Sequence, residues 1–278
     1  MNTPHVYING RIDALADAVI SPLDIGLLRG YAVFDLLRTV GGRPFLLAEH
    51  LRRLRASAAH LGLCVPATDA EIASAIDELL RLGGHAEATV RLVLTGGVSS
   101  DGMSFDPATP TFVILTHELH ELPASVRAEG GSLLTALHVR ELPMAKTTNY
   151  LTMLQAKPRL VEADALDLLY HDGERVFEAA SASVYFVHGT TILAPEAEDV
   201  LGGTGGSLVL DLAGPGFTIE RRDVAISEAL TADEVFLTST TRGVVPIVRI
   251  DDAAIGDGVP GPVTRALQAL WDEALARG

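Results

Sequence analysis

The chain is poor in primary amines. Of its 278 residues only two are lysines, Lys146 and Lys157, and every other basic side chain is an arginine. Chemistry that needs an amine must use one of these two. Sulfur is scarcer still. The single cysteine, Cys64, excludes an intramolecular disulfide, and its neighbours Leu63 and Val65 predict a buried thiol. Positive charge is also short: the formal net charge is −15 and the sequence pI is about 4.9. Such a surface repels nucleic-acid backbones, and no basic stripe offsets it. No apolar run approaches the ~18 residues of a membrane span. The opening MNTPHVYINGRID has neither the basic region nor the apolar core of a signal peptide. A cytosolic protein without membrane or nucleic-acid partners is expected. His117 and His120 lie close together with no cysteine or third ligand nearby, so no metal site is expected. No Gly-x-Ser-x-Gly elbow occurs, and Cys64 lacks the electropositive setting of a nucleophile.

What remains is an apolar, glycine-punctuated chain with 48% hydrophobic residues, long enough for one large or two medium domains. Short strand patterns open it: HVYING, then VFDLLRTVGGRPFLL with Gly41-Gly42 as a hairpin turn. Leu47, Leu51, Leu54, Ala58 and Leu61 recur at helical spacing. A second helix, ATDAEIASAIDELLRLGG, carries a threonine cap signal at Thr68 and glycines at its end. The strands TVRLVLTGG and TFVILTHEL follow. HELHELPASVRAEG is polar, with Pro123 and a terminal glycine, and reads as an interdomain connection. The second half alternates strands and helices and closes with VTRALQALWDEALAR. These patterns predict an α/β chain of two domains with mostly antiparallel or mixed sheets: 1–118, a connection at 119–130, and 131–278.

Lys157 precedes Pro158 in an amphipathic stretch and reads as a solvated helix residue. Lys146 follows the apolar run SLLTALHVR and a turn-forming Pro143, and two threonines, Asn149 and Tyr150 come after it. A lysine at a strand end among hydroxyl and aromatic groups suits Schiff-base formation with a carbonyl cofactor. Gly202, Gly203, Gly205 and Gly206 surround Thr204 ahead of an apolar helix pattern, which offers free backbone N–H groups to a phosphate or serves only as a flexible turn. TSTTR, residues 238–242, ends a strand with four hydroxyls and Arg242, as a donor cluster or an ordinary polar turn. Glu178 sits among apolar or small residues, where a carboxylate either meets a cation or lies at a solvated strand terminus. Arg91 and Arg29 each interrupt an apolar run, facing solvent, an internal aspartate such as Asp35, or an anion.

In order along nearly the whole chain, VYINGRI, SPLDIGLLRGYAVFD, FLLAEHLRRLRASA, VRLVLTGG, ELPMAKTTNYL, HDGERVFEAASASVYFV, VLGGTGGS, EVFLTSTTRGVVPI and GDGVPGPVTRAL resemble the class IV, fold-type-IV pyridoxal-phosphate aminotransferases. That group includes branched-chain aminotransferases, D-amino-acid transaminases and aminodeoxychorismate lyase. The resemblance implies a two-domain fold and a homodimer with active sites near the subunit interface. It implies that Lys146 is the Schiff-base lysine and Glu178 the partner of the pyridine nitrogen. By the same resemblance Arg53 binds the 5′-phosphate, with Thr240 and the backbone amides of the Thr204-Gly205 segment, and Tyr150 stands beside the phenolic oxygen. Thr241 falls on the substrate side.

The chain departs from the family in three places. After Glu178 the family commonly has Gly-Ser and later Asn, where Ala179, Ala180 and Ser183 stand here. The usual Gly-Ile-Thr-Arg phosphate loop is replaced by GTGG. The Arg-x-His carboxylate trap of common D-amino-acid transaminases is absent, with Asp101 and Met103 in its place. LLRGYAVFD, RLVLTGG and KTTNY together look most like an atypical subset of D-amino-acid transaminases. In that subset an arginine of the LRG segment stands in for the trap, which makes Arg29 and Arg91 the candidate substrate ligands. The activity implied is ping-pong transfer of an amino group between a D-amino acid and a 2-oxo acid. The alternatives are an L-branched-chain aminotransferase, an aminodeoxychorismate lyase, an (R)-amine transaminase and a non-catalytic cofactor-binding protein.

Overall fold

The structure is a computed structural model that describes residues 4–214 and 216–277. Residues 1–3 and 278, the outer ends of the two expected domains, lie outside the described residues, as does Pro215. The chain divides into two compact units, one running up to His120 together with Ala145–Asn149, the other formed by Glu121–Met144 and Tyr150–Arg277. The short segment holding Lys146 therefore belongs to the first unit, although the chain on both sides of it belongs to the second.

In the first unit β1 (His5–Ile8) and β2 (Arg11–Ala14) precede α1 (Ile25–Arg29), β3 (Ala32–Val40), β4 (Arg43–Pro44), α2 (Leu47–His60), α3 (Asp69–Gly83), β5 (Ala88–Thr95) and β6 (Thr111–Glu118). They form an antiparallel six-stranded sheet in the order β2-β1-β6-β5-β3-β4. Gly41 and Gly42 both take positive φ, as a tight hairpin needs, and close β3 onto β4. The helices cover the sheet with the faces their spacing predicts. Leu51, Leu54 and Ala58 of α2, and Ile72, Ala75, Ile76 and Leu79 of α3, join Val90, Leu92 and Leu94 of β5 in one core. A capping box sets the start of α3: the Thr68 hydroxyl accepts the Glu71 N–H, and the Glu71 carboxylate accepts the Thr68 N–H.

The second unit begins with α4 (Ala124–Glu129), which occupies much of the expected connection, and β7 (Gly131–Leu137). It continues through α5 (Leu151–Glu162), β8 (Asp167–His171), β9 (Arg175–Ala179), β10 (Ser183–His188), β11 (Thr191–Ala194) and α6 (Thr204–Ala213). β12 (Thr218–Arg221), β13 (Val224–Ala225), α7 (Ile226–Ala229), β14 (Glu234–Ser239), β15 (Gly243–Ile250), β16 (Ala253–Ala254) and α8 (Pro262–Arg277) complete it. The strands run β12-β11-β10-β14-β15-β7-β8-β9-β13, with β16 beside β15. The sheet is mixed. β7 and β8 are parallel neighbours joined through α5, whereas β10, β14 and β15 are antiparallel. Burial of Glu234 explains where α8 starts: its carboxylate accepts the N–H groups of Val263 and Thr264, the helix's second and third residues.

The exposure of Cys64 corrects one expectation. The residue lies just beyond α2, between buried Leu63 and half-buried Val65, and its side chain points the other way. Apolar neighbours in sequence fix nothing when the backbone alternates faces.

Candidate active site

Arg53 and Lys146 belong to the first unit and are built on β3 and α2. Asp35, fully buried in β3, receives Arg53 Nε on one oxygen at 2.8 Å and Nη2 on the other at 2.8 Å. His50 Nδ1 lies 2.7 Å from the same carboxylate. His50 and Arg53 are three apart on α2, so one helical face delivers both to Asp35. Burial alone would raise the Asp35 carboxyl, but the Arg53 guanidinium and His50 outweigh it and hold it well below the usual carboxylate range. Burial lowers His50, against the pull of Asp35, and the charges of Arg53 and Lys146 lower it further. Asp35 is thus the partner of Arg53, not of Arg29 or Arg91.

Lys146 is not at a strand end. β7 stops at Leu137, and Lys146 lies nine residues on, in an irregular segment. That segment is held against β3: the Lys146 carbonyl accepts the Phe34 N–H at 2.9 Å, and Thr148 donates its N–H to Ala32 O. The Ser57 hydroxyl accepts the Lys146 N–H at 3.0 Å. The amine stands 4.7 Å from the Phe34 ring centroid. The guanidinium of Arg91, on β5, stands 5.2 Å from the same centroid. Two cations are therefore brought to one aromatic ring. Arg29 ends α1, whose start is capped by the buried Asp24 carboxylate. It is exposed, donating to Leu28 O and to the Met103 sulfur. Asp101 anchors its own loop, accepting from Ser99, Met103 and Ser104. Lys157 is exposed on α5.

Glu178, Tyr150, Thr204, Gly205, Thr240 and Thr241 belong to the second unit. Glu178 is only 4% exposed on β9, so it is no solvated terminus. Its cation is Arg140, whose Nε is 2.9 Å from Glu178 Oε1. Arg140 also donates to Ala180 O at 2.8 Å and lies near the rings of Tyr150 and Tyr170. Burial raises the Tyr150 hydroxyl, and Arg140 opposes that rise. Burial pushes Tyr170 up to about 12. Both phenols therefore stay protonated at neutral pH.

Gly203 caps α6 at Thr204, and Gly205 and Gly206 are buried in its first turn. A Cβ on Gly203 would stand 2.5 Å from Ser183 Oγ, and one on Gly206 would collide with the Tyr185 hydroxyl. The helix end thus approaches hydroxyl groups as only glycine allows. Thr240 and Thr241, half-buried, follow Ser239 in the turn from β14 to β15. Sequence reasoning missed Arg140 and His50, and it named Asp35 only as a possible partner of Arg29 or Arg91. The three-residue spacing of His50 and Arg53 was visible in EHLRRLRA; the pairings with Asp35 and Glu178 join distant segments and left no local signal. Among the described residues no group of three or more His, Cys, Asp or Glu could hold a metal.

A family model described as amino-transferase class IV matches residues 32–250. The chain is 30% identical to a D-alanine aminotransferase of Listeria innocua, across 98% of this chain and 96% of that one. It is 32% identical to a D-alanine aminotransferase of Bacillus licheniformis, across 97% and 96%. A branched-chain amino acid aminotransferase from T.th., solved with pyridoxamine 5′-phosphate, superposes with a TM-score of 0.87 at 27% identity, covering 98% of this chain and 94% of that one. Match and fold agree over almost the full length, and the chain belongs to the class IV aminotransferases.

Proposed function

We propose that the protein moves an amino group between a D-amino acid and a 2-oxo acid, with pyridoxal 5′-phosphate held on Lys146. The observation that carries the reading is Glu178, an enclosed carboxylate kept beside a guanidinium. Such a group suits a protonated ring nitrogen. The glycine-fronted end of α6 suits a phosphate. The D preference comes from the relatives named D-alanine aminotransferase.

When bound, pyridoxal phosphate supplies the electron sink for the bond broken at the substrate Cα. The Lys146 amine would hold the cofactor and would serve as the general base that takes the substrate's Cα proton. Glu178 keeps the ring nitrogen protonated. In the first unit Arg53, oriented by Asp35, would bind a phosphate; in the second, Thr240 and the backbone amides at Thr204 and Gly205 would do so. The Tyr150 hydroxyl, kept protonated, donates to the phenolic oxygen. Arg29, Arg91 and Thr241 bind substrate carboxylates, and Arg91 shares the Phe34 ring with Lys146.

We take the first unit as the smaller N-terminal domain, the second as the cofactor domain, and the protein as a cytoplasmic homodimer. Among the described residues no helix is long and apolar enough to cross a membrane. Val19, Leu27, Val98 and Met103 in the first unit, and Leu137, Leu151 and Leu154 in the second, are exposed apolar side chains of the kind an interface covers.

The test is to mix the holoenzyme separately with D-alanine, D-glutamate, L-leucine and (R)-1-phenylethylamine and follow the bound-cofactor absorbance. Arg91→Leu should raise KM for D-glutamate and 2-oxoglutarate by about tenfold or more, the scale of a lost bidentate contact. The amine without a carboxylate should change by less than about twofold. Equal losses for all donors mean a structural arginine. Preference for L-leucine over every D-amino acid selects the branched-chain reading, to which the name of the solved relative points.

A further inference from the structure

We infer that Arg242 is a positioning residue that fastens the Ser239–Arg242 turn to the strand end carrying Glu178, so that the phosphate donors and the ring-nitrogen carboxylate are set as one piece. This rests on the cofactor reading above. Arg242 closes the turn between β14 and β15. Its Nε donates to Ser239 Oγ at 3.1 Å, and its Nη2 donates to Asp167 Oδ2 at 3.1 Å, Ser181 O at 3.1 Å and Ser181 Oγ at 2.8 Å. Asp167, the first residue of β8, is fully enclosed. Its carboxylate also accepts the Ser181 hydroxyl at 2.6 Å and the Leu168 N–H at 2.9 Å. Ser181 lies three residues after Glu178, inside the tight Ala179–Ala182 turn.

The position explains why a fastening is needed. The β10–β14 ladder ends at the pair Ser183 and Thr238. Beyond that pair the 179–182 turn and the 240–242 turn leave the sheet without ladder bonds to each other. Arg242 spans this gap, and Asp167 holds it in place. A guanidinium can do so because its donors point in fixed directions, whereas an ammonium is a single mobile point of charge. A fully buried carboxylate is costly unless its partner and donors are complete, so the tether has one geometry. The GTGG loop carries few hydroxyls, which leaves more of the phosphate contact to the Ser239–Thr241 turn that Arg242 orients.

The experiment titrates apoenzyme with pyridoxal phosphate and, separately, with pyridoxal, which lacks the phosphate. It compares the parent, Arg242→Met, Arg242→Lys and the double variant Asp167→Asn/Arg242→Met, which removes both charges and guards against misfolding from an orphaned aspartate. Arg242→Met and the double variant should raise the dissociation constant for pyridoxal phosphate by about tenfold or more, as displaced contacts do. Their pyridoxal constant should stay within about twofold, and Arg242→Lys should recover only part of the loss. Equal weakening of both ligands, or an unchanged pyridoxal-phosphate constant in both variants, overturns the tether. Lys146→Ala run beside them separates the two claims. If it keeps the parent's bound-cofactor absorbance, the cofactor reading itself fails and the tether with it. If that absorbance is lost but Arg242 does not discriminate, only the tether fails.

Discussion

Charged residues inside this protein are arranged in sets, and the sets decide what single substitutions do. Asp35, His50 and Arg53 form one. Truncating Arg53 leaves a buried carboxylate without its main partner, so Arg53→Ala should cost about 3–5 kcal/mol of apoprotein stability besides weakening cofactor retention. Urea unfolding of the apoprotein measures the first effect separately from the second. The same set gives a pH dependence. His50 is lowered from its ordinary value, so the unfolded chain binds its proton first and stability falls as pH drops below about 6.5. Asp35 is lowered too, so its contribution is full above about pH 4 and is lost below that as the carboxyl protonates. Apoprotein melting across pH 4–8 should show the His50 slope, and His50→Asn should flatten it; an unchanged slope assigns it elsewhere. In the second unit Glu178→Gln should preserve the fold and cofactor binding but remove most of the turnover, since a neutral amide does not hold the ring nitrogen's proton. Parent-like turnover in that variant removes Glu178 from the mechanism.

The helices and hairpins were the most legible elements, because their signals are local. The spacing of Leu51, Leu54 and Ala58, the Thr68 cap and Gly41-Gly42 each name an element without reference to the rest of the chain. Leu54 is fully buried, and Leu54→Ala should cost about 2–5 kcal/mol, read as a lowered urea midpoint with an unchanged slope. A cost under ~1 kcal/mol would mean that α2 repacks freely. The irregular segments were less legible. Lys146 was expected at a strand end, but β7 stops at Leu137 and the lysine is held by hydrogen bonds to Phe34 and Ser57. Those partners are about ninety residues or more away in sequence, and no periodicity reports them. The neighbours of Cys64 misled for the related reason that burial belongs to a face, not to a stretch. Resemblance to a family selected Arg53 among three arginines of α2; the carboxylate that orients it needed the fold.

At the scale of the whole molecule, a strongly acidic chain with two lysines holds part of its positive charge at a few built positions. In the first unit Lys146 and Arg91 share the Phe34 ring and Arg53 is anchored on Asp35. In the second unit Arg140 and Arg242 are each tied to a buried carboxylate. Anionic cofactor and substrate would meet local positive charge on an otherwise repelling surface. The central claim is that one amine of the two carries the reaction. The direct measurement is the absorbance of bound cofactor, with turnover of D-alanine, in Lys146→Ala beside Lys157→Ala. Loss of both signals in the first variant and parent-like values in the second are predicted. Full turnover by Lys146→Ala would contradict the account.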